Sequence, residues 1–129
     1  MLSLPPQLRV FLCTQPTDMR KSFDSLAALA QEHLARDVLQ GGLFVFLNRR
    51  RDRVKLLWWD GDGLALFYKR LEAGTFQLPP AGAGAAGLEL DATELSLLLS
   101  GVDLASVKRR PRYRRAASAP TGDVISASA

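Results

Sequence analysis

Between Gly42 and Phe76 the chain reads GLFVFLNRRRDRVKLLWWDGDGLALFYKRLEAGTF, in which apolar, strand-like runs alternate with turns rich in arginine and glycine. Runs of this length and composition predict three successive strands, Leu43 to Leu47, Val54 to Trp59 and Leu64 to Leu71. Their connections, centred on Arg50 to Arg53, Asp60 to Gly63 and Glu72 to Gly74, are short enough for antiparallel hairpins, and Thr75 to Leu78 adds a short fourth strand. Alternation is incomplete in the first two strands, as expected where both faces of a sheet's centre are partly covered.

Elements on either side of this meander are readable too. Arg9 to Thr14, RVFLCT, is short and β-compatible, and Gln15-Pro16 closes it as a first strand. Phe23, Leu26, Ala27, Ala30 and Leu34 then recur at three- and four-residue steps and share one face of a helix. Two starts fit it: Thr17 or Asp18 capping a helix from Met19, or Ser22 capping one from Phe23. One face of the sheet should carry this helix. Pro79 and Pro80 stop the sheet, and AGAGAAG at 81–87 reads as a flexible linker. Asp91 with Glu94 resembles a capping box, and Leu95, Leu98 and Leu99 give a second helix its apolar side before Gly101 ends it.

The 129 residues, 47% hydrophobic, suffice for one core. The expected fold is a single α+β domain over 1–107: a small antiparallel β-meander, one helix on a face, and a second helix after the linker. A basic and then polar tail, 108–129, should be disordered. No apolar run approaches the roughly 18 to 20 residues that cross a bilayer, and MLSLPPQLRV has two prolines where a signal peptide needs its apolar segment. The lone Cys13 forms no internal disulfide, so a cytoplasmic protein without membrane association is expected.

Catalytic chemistry has little to work with. Cys13 and the single histidine, His33, make a nucleophile and base only if packing joins them; otherwise they are a small buried thiol and a boundary histidine. Asp52, Asp60 and Asp62 are candidate metal ligands, but Asp60-Gly61-Asp62-Gly63 joins two strands, where Asp and Gly serve turn geometry. An EF-hand is excluded because its twelfth position is Leu71, and no Walker or Rossmann phosphate loop is present. The expectation is a protein that is not an enzyme and takes no metal or cofactor.

Charge is more informative. The net charge is only +4, yet eleven of the seventeen Lys and Arg residues fall in two clusters. Arg49, Arg50, Arg51, Arg53 and Lys55 form one at a hairpin tip; Lys108, Arg109, Arg110, Arg112, Arg114 and Arg115 form the other in the tail. Such clusters fit an anionic partner, most often DNA, although a solvated turn and a solubilising tail produce the same composition. Trp58, Trp59, Phe67 and Tyr68 are interleaved with Lys55, Lys69 and Arg70; strand alternation puts one tryptophan inside and the other nearer solvent. Arg20 and Lys21 stand at the start of the first helix, where the macrodipole favours acidic residues, and suit either phosphate contact or an ion pair with Asp18 or Asp24.

Three segments in order, DMRKSFDSLAAL at 18–29, LFVFLNRRRDRVKLLWWDGDGLALFYKRLEAGTF at 43–76 and LELDATELSLLLSGVDL at 88–104, resemble the small accessory proteins, often called TnpB, of bacterial insertion sequences of family sixty-six. The likeness runs from about Arg9 to Arg110, and RRRDRVKLL with the WDGDG turn is its most specific part. It does not extend to the RNA-guided nucleases that share the label, which are far longer and carry a zinc ribbon. Such elements encode a separate, larger transposase with the acidic catalytic site. The resemblance therefore implies an auxiliary role in transposition, with DNA, at the element ends or without sequence preference, and that transposase as partners. Members commonly have glycine at Ser22 and Ser25 and a further tryptophan near Leu66 or Phe67, so a fixed aromatic stacking surface is not implied. The competing expectation is a protein-interaction module in which the same arginines meet an acidic surface of the transposase.

Overall fold

The computed structural model of the protein describes residues 7–79 and 85–101. Part of the expected linker, 81–84, and the expected disordered tail, with Lys108, Arg109, Arg110 and Arg112, lie outside the described residues.

Strands β1 (Val10–Cys13), β2 (Leu43–Leu47), β3 (Arg53–Trp59), β4 (Leu64–Arg70) and β5 (Gly87–Leu90) form one sheet in the order β4-β3-β2-β1-β5. The β2-β3-β4 meander is antiparallel, with Val45 opposite Leu56 and Leu56 opposite Phe67. Strand β1 joins it in parallel, Phe11 beside Phe44, which requires the crossover through helix α1 (Phe23–Leu34). An α+β fold is thus present, with five strands as the sequence reading supplied, but one of them is not where it was expected.

That strand is β5. It pairs antiparallel with β1, and its register starts inside the AGAGAAG run: Gly87 faces Cys13, Thr14 N–H donates to Ala86 O at 3.0 Å, and the Thr14 hydroxyl donates to Ala85 O at 2.6 Å. The end of the expected linker is therefore held in the sheet. Gly87 leaves room there for Leu34 Cδ2 at the end of α1, which would have to shift if a Cβ were added. Conversely, Thr75 to Leu78 is not a strand. Phe76 N–H donates to Arg51 O at 2.7 Å and its ring is buried, so this segment packs against the β2-β3 hairpin as irregular chain.

Period-two alternation sends side chains to two apolar layers. Val10, Leu12, Leu43, Val45, Leu47, Val54, Leu56 and Leu90 meet Leu95, Leu98 and Leu99 of helix α2 (Ala92–Leu99) on one face. Phe11, Cys13, Phe44, Phe46 and Leu57 meet Leu26 and Ala30 of α1 on the other. Helix α1 starts at the second of its two candidate sites, with extended Ser22 as N-cap and Ser22 N–H donating to Ser25 Oγ. Ala35 ends it in a left-handed conformation, φ 54°, returning its N–H to Gln31 O. Phe23, expected on the buried face, is 43% exposed in the first turn. For α2 the capping box is present: Glu94 N–H donates to Asp91 Oδ1 at 2.7 Å and Asp91 N–H to Glu94 Oε1 at 3.0 Å.

Candidate functional site: a guanidinium-rich end of the sheet

The β2-β3 connection is Asn48 to Asp52, and its shape comes from one side chain. Asn48 Oδ1 accepts from the N–H groups of Asp52 and Arg53, both at 3.0 Å, while Asn48 Nδ2 donates to Asp52 Oδ1 at 2.7 Å. Asn48 is thereby occupied with the loop, and its donation holds the Asp52 carboxyl below the usual carboxylate range. Leu71 N–H donates to Asp52 O and Phe76 N–H to Arg51 O, both at 2.7 Å, so the following segment braces the tip. On this frame Arg49, Arg50 and Arg51 are exposed. Arg51 sits at φ 60°, a left-handed conformation that glycine adopts at lower cost, so the chain keeps a cation where backbone sterics favour none.

Other cations gather at the same end. Arg70 is register partner of Arg53, and Thr17 N–H donates to Leu47 O at 2.8 Å, which brings the segment carrying Arg20 and Lys21 to the end of β2 and the start of β3. Arg20 is in an ion pair but stays exposed: it chelates Asp18 through Nη2 at 2.6 Å and Nε at 3.0 and 3.1 Å, and holds the Asp18 carboxyl down to about 2. Arg70 pairs with Glu72 at 3.0 Å, and Arg50 stands 4.0 Å from Asp52. Seven cations gather at this end (Arg20, Lys21, Arg49, Arg50, Arg51, Arg53 and Arg70); Asp18, Asp52 and Glu72 pair with three of them, and Asp24 lies in the first turn of α1 without an ion pair to Arg20 or Lys21. A cleft of about 260 Å³ opens beside the tip, lined by Thr14, Asn48, Arg49, Arg51 and Leu78 among others.

Lys55 is a correction. Its side chain is buried, and its ammonium donates to Met19 O and Lys21 O, both at 2.7 Å. Two carbonyls have taken the place of solvent, so Lys55 anchors the 19–21 segment and is withdrawn from the contact surface. Lys69 is similarly occupied, donating to Leu99 O at the end of α2 at 3.0 Å. Arg70, by contrast, belongs to this surface although its place in the sequence, apart from both arginine clusters, does not mark it; cross-strand register puts the end of β4 beside the start of β3.

The opposite end of the sheet is acidic in its turns. Asp60 and Asp62 lie in the β3-β4 turn, closed by Asp60 N–H donating to Gly63 O at 2.8 Å, with Asp91 and Glu94 at the start of α2 beyond Leu90. Arg9 there is paired with Glu89 at 2.9 Å. Among the described residues no group of three His, Cys, Asp or Glu side chains is placed to hold a metal ion. Burial raises the Cys13 thiol, which donates to Gln15 O at 3.7 Å, whereas His33 lies 3.6 Å from Glu32. A thiol held protonated is a poor nucleophile.

Fold and site together define a charge-polarised α+β domain whose distinctive surface is a projecting, arginine-rich sheet end. The chain belongs to the IS66 Orf2-like protein family, whose model matches residues 8–109. Two relatives from Sinorhizobium fredii are similar: "Uncharacterized protein y4jC", 42% identical over 107 residues (83% of this chain, 90% of the relative), and "Uncharacterized protein y4hO", 45% identical over 103 residues (80% and 88%). No solved structure matches the chain. The family implies an accessory role in the transposition of an insertion sequence. No helix among the described residues is long and apolar enough to cross a membrane.

Proposed function

We propose that this protein is a non-enzymatic accessory factor that binds the DNA of its element through the Arg49–Arg53 tip, assisted by Arg20, Lys21 and Arg70. The observation that carries this reading is the gathering of seven cations at one end of the sheet while Asp60, Asp62, Asp91 and Glu94 stand at the other. A domain polarised in this way meets a polyanion with one end, and a rigid hairpin presents guanidinium forks to phosphates or guanine edges. Purified protein is titrated against element-end and random DNA at two salt concentrations. Changing Arg49, Arg50 and Arg51 together to alanine lowers affinity and flattens the salt slope by up to about 0.9 per lost phosphate contact. An unchanged slope in a folded variant removes the tip from the interface.

A second reading, contact with the separately encoded transposase, is favoured by Leu39 and Trp59, which remain 54% and 38% exposed. The short 3-10 turn Val38–Gln40 packs by β3, so these side chains offer apolar surface near the acidic end. Pull-down of the transposase that survives nuclease treatment and is lost on changing Trp59 to Ser supports this second surface.

A further inference from the structure

Among the described residues, four large apolar side chains stay exposed: Phe23, Leu39, Trp59 and Tyr68. Tyr68, 46% exposed, is the one on the strand beside the arginine cluster, and its environment is unusually constrained. The Arg53 guanidinium donates to its hydroxyl at 3.0 Å. The Lys55 ammonium lies 4.6 Å from the ring centroid and is itself fixed by the carbonyls of Met19 and Lys21. An exposed ring on a sheet surface ordinarily explores several rotamers; here a buried cation and a hydrogen-bonded hydroxyl select one before any partner arrives. Cross-strand register adds Arg53 and Arg70 as the next pair on the same face, two residues along. A flat aromatic face with guanidinium groups on one side matches the base and phosphate of a nucleotide.

We propose that Tyr68 is a stacking platform for an unpaired base of single-stranded DNA, whose backbone phosphates pass Arg53 and Arg70 toward the Arg49–Arg51 tip. This rests on the reading of the basic end as a DNA contact and adds the form of DNA it takes. Stacking on a protein ring needs a base face that a duplex keeps covered, so single strands, frayed ends or overhangs are the substrates. Trp59, the other exposed aromatic on β3 or β4, adjoins Asp60, where phosphate is repelled.

The test measures fluorescence anisotropy of a labelled single-stranded oligonucleotide, and of the blunt duplex of the same sequence, with the full chain. Tyr68→Ala is expected to weaken single-strand binding at least about fivefold while leaving duplex binding near its original value. Tyr68→Phe retains single-strand binding, because the ring remains. Tyr68→Leu, which keeps apolar bulk on the strand should the alanine variant fold poorly, loses it, and Trp59→Ala leaves it unchanged. Single-strand affinity unaltered in folded Tyr68→Leu overturns the platform, as does equal loss in Tyr68→Phe, which would give the role to the hydroxyl. If duplex binding still responds to the Arg49, Arg50 and Arg51 substitutions, only the platform falls; if neither form of DNA binds the wild-type chain, both readings fall.

Discussion

Replacing Lys55 with methionine separates scaffold from interface at the residue where the two were easiest to confuse. The ammonium makes two charge-assisted hydrogen bonds of 2.7 Å to backbone carbonyls in a buried position. Bonds of this kind contribute about 1.5–3 kcal/mol each. Removing the charge also removes several kcal/mol of desolvation cost, and Met19 and Lys21 are themselves only half-buried, so their carbonyls can regain water. The net loss is about 2 kcal/mol, or roughly 10 °C in the unfolding midpoint of a domain this size. Urea titration followed by the fluorescence of Trp58 and Trp59 measures it. The salt slope of DNA binding should stay at the wild-type value, whereas a phosphate-contacting lysine would lower it by about 0.9. A variant as stable as wild type but with a flattened slope would refute the anchoring role and return Lys55 to the interface.

Three further outcomes are expected. The Asp18 carboxyl, lowered to about 2 by Arg20, is protonated more readily in the unfolded chain than in the folded one; its contribution is present above about pH 4 and is lost as pH falls toward 2, so Asp18→Asn should flatten the acid limb of a plot of thermal midpoint against pH. Gly87→Ala should destabilise the fold by up to about 1 kcal/mol by displacing the Leu34 side chain, and a double-mutant cycle with Leu34→Ala should show coupling that recovers part of the loss in chemical denaturation. Ala35→Gly should raise stability by about 1 kcal/mol in the same assay, because φ 54° carries a Cβ penalty that glycine lacks.

What could be read from residue order was whatever is settled locally. β2, β3 and β4 announce themselves because each apolar run ends in its own turn chemistry, and Ser22 and Asp91 mark helix starts within a few residues of the faces they precede. β5 was hidden because GLEL is four residues long, follows a run of alanine and glycine, and acquires strand geometry only from β1. Thr75 to Leu78 misled for the opposite reason: a buried phenylalanine and β-compatible neighbours satisfied the pattern, but its N–H bonds to the hairpin tip and not to a strand. In the site, the arginine tip was legible as a charge cluster. Lys55 was not, since its burial depends on the 19–21 segment crossing over it, and Arg70 joins only through register.

The position of β1 between β2 and β5 also bears on the order in which the sheet is completed. The β2-β3 hairpin closes over five residues, Asn48 to Asp52, while the contact of β1 with β5 joins positions as far apart as Arg9 and Glu89, 80 residues in sequence. Loop-closure entropy makes that last pairing costlier by about 2.5 kcal/mol. On a ribosome the meander is exported whole before Gly87–Leu90 leaves the tunnel, so a nascent chain holds β1 with one edge bare. The four residues of β5 cover the edge of β1 that would otherwise be open to pairing with another strand.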